Sequence, residues 1–428
     1  MDEYDFPNGF GGIEKAVCVR HVADGALRER LSALADSRTC DYCGRRGGPE
    51  DSTFSVGMDA LADAVWDALT WLYEEAGDPH WYDEDGDPVY YESYYELNDV
   101  LYDVAEEALD PDHSETLVED LKSAVIWPDR YWLSRGRARD VTLHWESYSK
   151  AVRYQSRFVY IAASARPDHE VEPPAMIAKF LEALLGYAES ELLIDLEPGS
   201  NLYRGRMTDD FATLLREVNE EPSSALGSAP AAVAKAGRLN PQGIGLFYAA
   251  DNLATAVAEI ALHSPYDKAV VGAFVTQRTM KILDFTRRMT VLPSLYASDE
   301  GSRVKWVLAR FVDRFVEHIA EPVLLDGRES VDYVPTQVVA EYLRWVPQTR
   351  IDGIAWPSHL AKGSGKNVVL FLGPGAAFQT DPPTDRESQR AGGSAPPSLT
   401  LSRGDITCHE VVRRVEVSPD LEPDGGGI

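Results

Sequence analysis

Apolar residues recur at spacings of three and four through MDALADAVWDALTWLYEEA, and the spacing predicts an amphipathic helix. DVLYDVAEEAL and WESYSKAVRYQSRFVYI repeat the habit with many aromatics, so residues 51–165 are expected to be largely helical. The polar, proline-rich RPDHEVEPP breaks the pattern. AMIAKFLEALLGYAESELL then predicts one more helix, and residues 166–196 are a linker with that helix. From about residue 197 the texture changes to short β-branched runs, GIGLFYAA, AVVGAFVT and NVVLFLG, set between glycines and helical pieces. These predict a mixed α/β domain over 197–373. Residues 374–400 are rich in Pro, Gly and Ser and read as a disordered linker. The segment ITCHEVVRRVEVS within 401–428 reads as a strand able to dock on the body, followed by a tail. No internal repeat is visible.

Length and charge narrow the classes. A chain of 428 residues exceeds one compact domain, and 44% hydrophobic with 10% aromatic residues is enough for real cores. No apolar run approaches the roughly 20 residues that span a bilayer, and MDEYDFPNGF makes a poor targeting segment, so a cytoplasmic, membrane-free protein is expected. The net charge of −29 repels nucleic acid on average and excludes bulk binding to it. An anionic small-molecule substrate would need arginines supplied by its own pocket.

Four cysteines are too few for a disulfide framework, and three lie near the N-terminus. Cys18-x2-His21 and Cys40-x2-Cys43 form two short ligand pairs inside residues 13–50, a donor set and spacing that suit tetrahedral Zn²⁺. Four protein ligands leave no open position, so the site would be structural. A redox role for Cys40 and Cys43 is the rival reading, but no βαβ context surrounds them. Asp83, Glu84, Asp85 and Asp87 lack calcium-loop spacing and read as a solvated acidic loop. Arg139-x4-His144 fits the loose R-x4-6-H pattern of HEPN-type ribonucleases, in which the histidine serves as acid or base. A structural or partner-binding role is the plainer reading of that pair.

The second half carries three separated segments with one chemical theme. Tyr203-Arg204 sets an arginine beside an aromatic in a strand, a pairing that can hold a phosphate while the ring borders a base or ribose. Gly237-Arg238-Leu239-Asn240 leads through Gly243 to Tyr248 and then to a helix carrying Glu259. Tyr333-Val334-Pro335-Thr336-Gln337 precedes Asp352-Gly353-Ile354, Pro357-Ser358 and Asn367-Val368-Val369-Leu370-Phe371. No P-loop and no G-x-G-x-x-G are present, so a dinucleotide would be consumed and not recycled.

The order Y-R, G-R-x-N-x2-G-x4-Y, a helical Glu, Y-x2-T-Q, D-G-I-x3-S and N-V-V-L-F resembles the RES domain, a family named for its arginine, glutamate and serine. The first half is similar to the HEPN/RES N-terminal domain, through its zinc-like start and the W-x6-V-x3-S-R-F stretch from Trp145 to Phe158. It departs in having Cys-x2-His where Cys-x2-Cys is usual. The resemblance implies an ADP-ribosyltransferase-like fold and a toxin that destroys NAD⁺ by phosphorolysis or hydrolysis, with Arg204, Glu259 and Ser358 as catalytic residues. Glu259 would stabilise the oxocarbenium-like ribose. Arg204 and Arg238 would clamp the pyrophosphate or a co-substrate inorganic phosphate, and Tyr203 and Tyr248 would border nicotinamide. Asn240 and Gln337 would contact substrate or brace buried backbone. The expected partners are NAD⁺ and an antitoxin or regulatory protein, in a setting of bacterial conflict or phage defence. Two alternatives stay open: mono-ADP-ribosylation of a protein, or a non-catalytic RES fold beside an RNA-cleaving or partner-binding first half.

Overall fold

The computed structural model describes residues 10–75, 81–82, 88–89, 95–125, 131–134, 145–158, 173–262, 264–287, 293–320, 329–360, 365–379 and 398–413. The acidic loop at 83–87 and the pair Arg139 and His144 lie outside them. The chain divides into two compact units, Met1–Tyr187 with Met289–Phe315, and Ala188–Arg288 with Val316–Ile428. No described helix is long and apolar enough to cross a membrane.

The first unit is mainly helical. Its strands are β1 (Ala16–Cys18), β2 (Ser55–Gly57), β3 (Tyr73–Glu75), β4 (Trp81–Tyr82), β5 (Pro88–Val89) and β6 (Trp132–Ser134), joined as the antiparallel pairs β1–β2, β3–β6 and β4–β5. Its helices are α1 (Gly25–Ala33), α2 (Met58–Leu72), α3 (Leu97–Ala105), α4 (Ser114–Ala124), α5 (Trp145–Tyr154) and α6 (Pro173–Tyr187). The stripe read from sequence on α2 is its buried face: Leu61, Val65, Ala68, Leu69 and Leu72 join one core with Val100 and Leu101 of α3 and Leu117 and Leu121 of α4. Leu295, Tyr296 and Val307 belong to the same core, although their segment lies in sequence between elements of the second unit.

The second unit is a mixed α/β body. Its strands are β7 (Leu193–Leu196), β8 (Asn201–Thr208), β9 (Phe247–Ala250), β10 (Lys268–Thr276), β11 (Met280–Asp284), β12 (Gly353–Pro357), β13 (Lys366–Leu370), β14 (Ala377–Gln379), β15 (Leu399–Leu401) and β16 (Ile406–Glu410). They form one sheet in the order β14-β15-β10-β8-β9-β13-β12-β11-β7, and β16 also pairs with β10. Pairing is antiparallel except for β11–β12 and β14–β15. Its helices are α7 (Phe211–Glu220), α8 (Pro222–Ala225) and α9 (Leu253–Leu262); α10 (Glu300–Ala320), which ends in this unit; and α11 (Glu329–Asp332) and α12 (Val334–Trp345). One face of the sheet buries Leu202, Phe247, Phe274, Ala355, Val368 and Leu370 with Leu214 and Val218 of α7.

The sheet extends beyond the span read from sequence. β7 starts at Leu193, the last residue of the run expected to be helical, and takes the three residues after it, because Leu193–Leu196 finds a ladder against β11. β14 and β15 fall at the ends of the stretch expected to be disordered, whose interior 380–397 lies outside the described residues.

Candidate active site and metal cluster

Opposed residues of an antiparallel pair share a face of the sheet. The registers Trp356–Asn367, Asn367–Ala250 and Ala250–Tyr203 therefore lay those four residues in one row across β12, β13, β9 and β8. Ala250 is small, and all four line a cavity of about 320 Å³. Arg204, Arg238, Tyr248, Glu259, Ile319 and Tyr333 complete most of the wall.

α9 sets Glu259 over this row. Asn252 caps the helix, accepting from the Thr255 amide at 2.9 Å. The Glu259 carboxylate is held through one atom: Oε1 accepts from Ser358 Oγ at 2.7 Å and from Asn367 Nδ2 at 2.7 Å. Oε2 has no hydrogen-bond partner among the described residues. Ser358 is buried just after β12 and accepts from the Leu360 amide at 3.3 Å. Glu259 and Ser358, separated by 99 positions in sequence, thus meet directly.

Arg204 follows Tyr203 in the strand and so starts from the opposite face. Its guanidinium lies 5.4 Å from the Phe247 ring centroid. Nε donates to the carbonyls of Leu226 at 2.8 Å and Gly227 at 3.2 Å, and Nη1 donates to that of Tyr248 at 2.5 Å. β8 and β9 share a single register pair, and this side chain continues the link between them. Arg204 therefore braces the cavity wall as well as lining it, and Nη2 makes no hydrogen bond among the described residues. Burial lowers its pKa to about 10, which leaves it charged at neutral pH.

The turn Gly237–Asn240 is built as a unit. Tyr248 Oη donates to Asn240 Oδ1 at 2.7 Å and accepts from the Leu239 amide at 3.1 Å. Asn240 Nδ2 donates to the carbonyls of Lys235 at 3.0 Å and Ile244 at 2.7 Å. Gln337 donates to the carbonyls of Gly237 at 2.8 Å and Asn240 at 2.9 Å, and Thr336 donates to the Arg238 carbonyl. Gly237 is required, since a Cβ there would meet Asn240 Oδ1 at 2.6 Å and Tyr248 Oη at 3.0 Å. Asn240 and Gln337 spend their amides on backbone, outside the cavity wall. Arg238, which does line the cavity, donates to the Ile319 carbonyl at 2.5 Å. Burial raises the Tyr248 phenol above its ordinary pKa, so it serves as a neutral donor. Asn240→Ala is expected to leave several buried polar groups unpaired and to cost about 2–3 kcal/mol of stability. A melting curve displaced by less than about 0.5 kcal/mol would contradict this bracing role.

Residues 215–390 match the RES domain, and residues 34–166 match HEPN/RES N-terminal domain 1. The chain carries a RES domain behind a HEPN/RES N-terminal domain. No curated protein matches the chain. Glu259, Ser358 and Asn367 lie within the RES match, whereas Tyr203 and Arg204 precede it. Asn367 and Trp356 were given no role by the sequence. The signal for Asn367 is a polar residue directly before the apolar run VVLF; only the cross-strand register brings it to Glu259.

The D-G-I stretch of the RES domain has a structural explanation. Asp352 is buried, accepts from Arg278 at 2.6 and 3.0 Å and from the Lys281 amide at 3.1 Å, and is ion-paired with Arg350, whose Nε lies 2.8 Å from Oδ1. Gly353 opens β12 where a Cβ would fall 2.3 Å from the Val369 carbonyl oxygen.

In the N-terminal unit the ligand atoms of Cys18, His21, Cys40 and Cys43 all lie within 4.8 Å of one another, so the cluster could hold a metal ion. Cys18 Sγ stands 3.9 Å from Cys43 Sγ, and the four cysteines of the chain are all free thiols. His21 is 4% exposed and neither ring nitrogen has a hydrogen-bond partner, an arrangement with an obvious use if one nitrogen binds a metal. Its Nδ1 lies 3.7 Å from Asp110 Oδ2, and its ring centroid is 4.1 Å from that of His113. Burial pushes the Cys18 thiol up to about 11. Burial also raises Cys40, but amide donors from Cys43, Cys18 and Tyr42 outweigh it and leave that thiol below its ordinary value.

Proposed function

We propose that the RES domain cleaves the nicotinamide–ribose bond of NAD⁺, by phosphorolysis or hydrolysis. The observation that carries this reading is the Glu259 carboxylate, gripped through Oε1 by Ser358 and Asn367 with Oε2 left over, in a cavity that also holds two arginines and aromatic rings. As the C–N bond breaks, its electrons leave with neutral nicotinamide and positive charge develops on the ribose. A fixed carboxylate beside that carbon stabilises the charge without having to reorganise. Phosphate oxygen attacking C1′ gives a ribose 1-phosphate ester, while water gives ADP-ribose and a proton. Arg204 and Arg238 supply the positive field that a chain of net charge −29 otherwise lacks for an anionic substrate. The volume lies at the small end of ligand pockets, about 300–1,000 Å³, and suits the nicotinamide half of the dinucleotide. Ser358 then acts by holding Glu259, and Asn240 and Gln337 by shaping the turn that carries Arg238. The mixed sheet is compatible with the ADP-ribosyltransferase-like fold that this chemistry suggests.

The test is to incubate the purified chain with NAD⁺, with and without inorganic phosphate, and to follow products by chromatography. Nicotinamide release supports the reading, and phosphate dependence assigns phosphorolysis. Label from NAD⁺ appearing on protein, without free ADP-ribose or its phosphate, would point to ADP-ribosylation. Because an unrestrained NADase kills the cell that makes it, we further propose a toxin-type role with an antitoxin or other regulatory protein as partner.

We propose Zn²⁺ for the Cys18, His21, Cys40 and Cys43 cluster, as a structural ion. Three thiols and an imidazole are the donors zinc prefers, and Asp110 would orient the His21 ring. Elemental analysis is expected to find one zinc per chain, and Cys40→Ser to lose it together with cooperative melting of the N-terminal unit. A metal-free preparation that melts at the wild-type temperature would rule this out.

A further inference from the structure

We propose that Trp356 is a substrate-binding residue, its indole N–H donating to a hydroxyl of the nicotinamide ribose while that hydroxyl donates to Glu259 Oε2. This inference rests on the proposed NAD⁺ reading and adds a residue to it.

Three observations converge. Trp356 is 4% exposed, and its Nε1 is buried without a hydrogen-bond partner. The same residue lines the cavity. Its cross-strand neighbour is Asn367, whose amide is bonded to the Glu259 carboxylate at 2.7 Å. Buried N–H groups are nearly always paired in folded proteins, and an unpaired one on a residue that lines a cavity can gain its partner from a ligand there. Trp132 also carries a buried, unpaired indole N–H, but it lies in the apolar core of the other unit. Trp356 is set apart by where it sits.

The chemistry of the two leftover groups selects the ligand atom. Glu259 Oε2 can only accept, and an indole N–H can only donate. A single hydroxyl answers both, accepting from Trp356 and donating to Glu259. Nicotinamide's carboxamide would have to divide the two tasks, its oxygen accepting from the indole and its NH₂ donating to the carboxylate. A ribose hydroxyl meets both at one atom, next to the carbon on which the positive charge develops.

Carba-NAD⁺, in which a methylene replaces the ribose ring oxygen, keeps the hydroxyls and cannot be cleaved, so it reads binding apart from turnover. Trp356→Phe keeps an aromatic ring and removes the N–H. The variant is expected to bind carba-NAD⁺ about five- to tenfold more weakly than wild type, with little change in binding of nicotinamide alone. Equal affinity of the two proteins for carba-NAD⁺ would overturn the role of Trp356 and leave the NAD⁺ reading intact. Equal weakening toward free nicotinamide would move the contact to the carboxamide and overturn the ribose assignment. A wild-type protein that neither binds carba-NAD⁺ nor cleaves NAD⁺ would defeat the underlying reading, and the inference with it. If the variant does not fold, ¹H–¹⁵N spectra of the wild type decide. A downfield shift of one of the nine tryptophan indole signals on adding carba-NAD⁺ supports the proposal, and no movement among them refutes it.

Discussion

Glu259→Gln is expected to slow nicotinamide release by about 10²–10³-fold while leaving the melting temperature nearly unchanged. The two effects separate because the side chain does two jobs with different atoms. Its Oε1 accepts from Ser358 and Asn367, and a glutamine carbonyl oxygen can keep both bonds. The negative charge is lost, and with it the preorganised partner of the developing cation. Ser358→Ala should cost less, near tenfold, since Asn367 still grips the carboxylate. Initial rates at saturating NAD⁺, measured beside thermal melts of each variant, test both. A glutamine variant that retained half the wild-type rate would remove Glu259 from the chemistry. A large fall in melting temperature would instead make its role structural.

Asp352→Ala is expected to cost about 2–3 kcal/mol of stability, or roughly 5–10 °C in melting temperature. Asp352 is 4% exposed and gathers two arginines and an amide at the start of β12. The figure is set below that for a fully buried pair because Arg278 keeps about a third of its side-chain surface in water and Arg350 is largely exposed. Burial works to raise the Asp352 pKa, but the bonds and charge of Arg278, with Arg350, outweigh it and hold the carboxyl below its ordinary value. A depressed native pKa contributes stability that is present above the unfolded value of about 3.9 and is lost as pH falls through the native one. The gap between wild type and variant should therefore be full at neutral pH and close in acid. A gap that stayed constant down to pH 2 would mean the carboxylate charge contributes nothing.

Local signals were legible and non-local ones were not. The spacing in MDALADAVWDALTWL gave α2, and the β-branched runs gave β9, β10 and β13. Ser358 and Glu259 were singled out through a family likeness, and the fold brings them together at 2.7 Å. What failed to show was anything decided by register or by a distant partner. Leu193–Leu196 follows a run of helix formers, yet pairs with β11. Residues 289–315 lie in sequence within the mixed domain but belong to the helical unit. The destination of Arg204, on three backbone carbonyls, cannot be read from an arginine in a strand. Asn367 and Trp356 become site residues only because β12 and β13 align them opposite one another.

β10 is synthesised long before the strands that cover one of its two edges. This nine-residue strand pairs with β8 on one side, but its other edge is covered by β15 and β16, which follow every strand that lines the cavity. A nascent chain therefore carries AVVGAFV with one edge of unpaired amides and carbonyls until residues 399–410 emerge. The same exposure awaits any fragment cut at Gly373, which would retain all the cavity residues and still offer a bare edge to another strand. A recombinant version of the second unit needs to extend through Val411, whose amide donates to the Asp267 carbonyl at 2.7 Å and ties down the end of that covering ribbon.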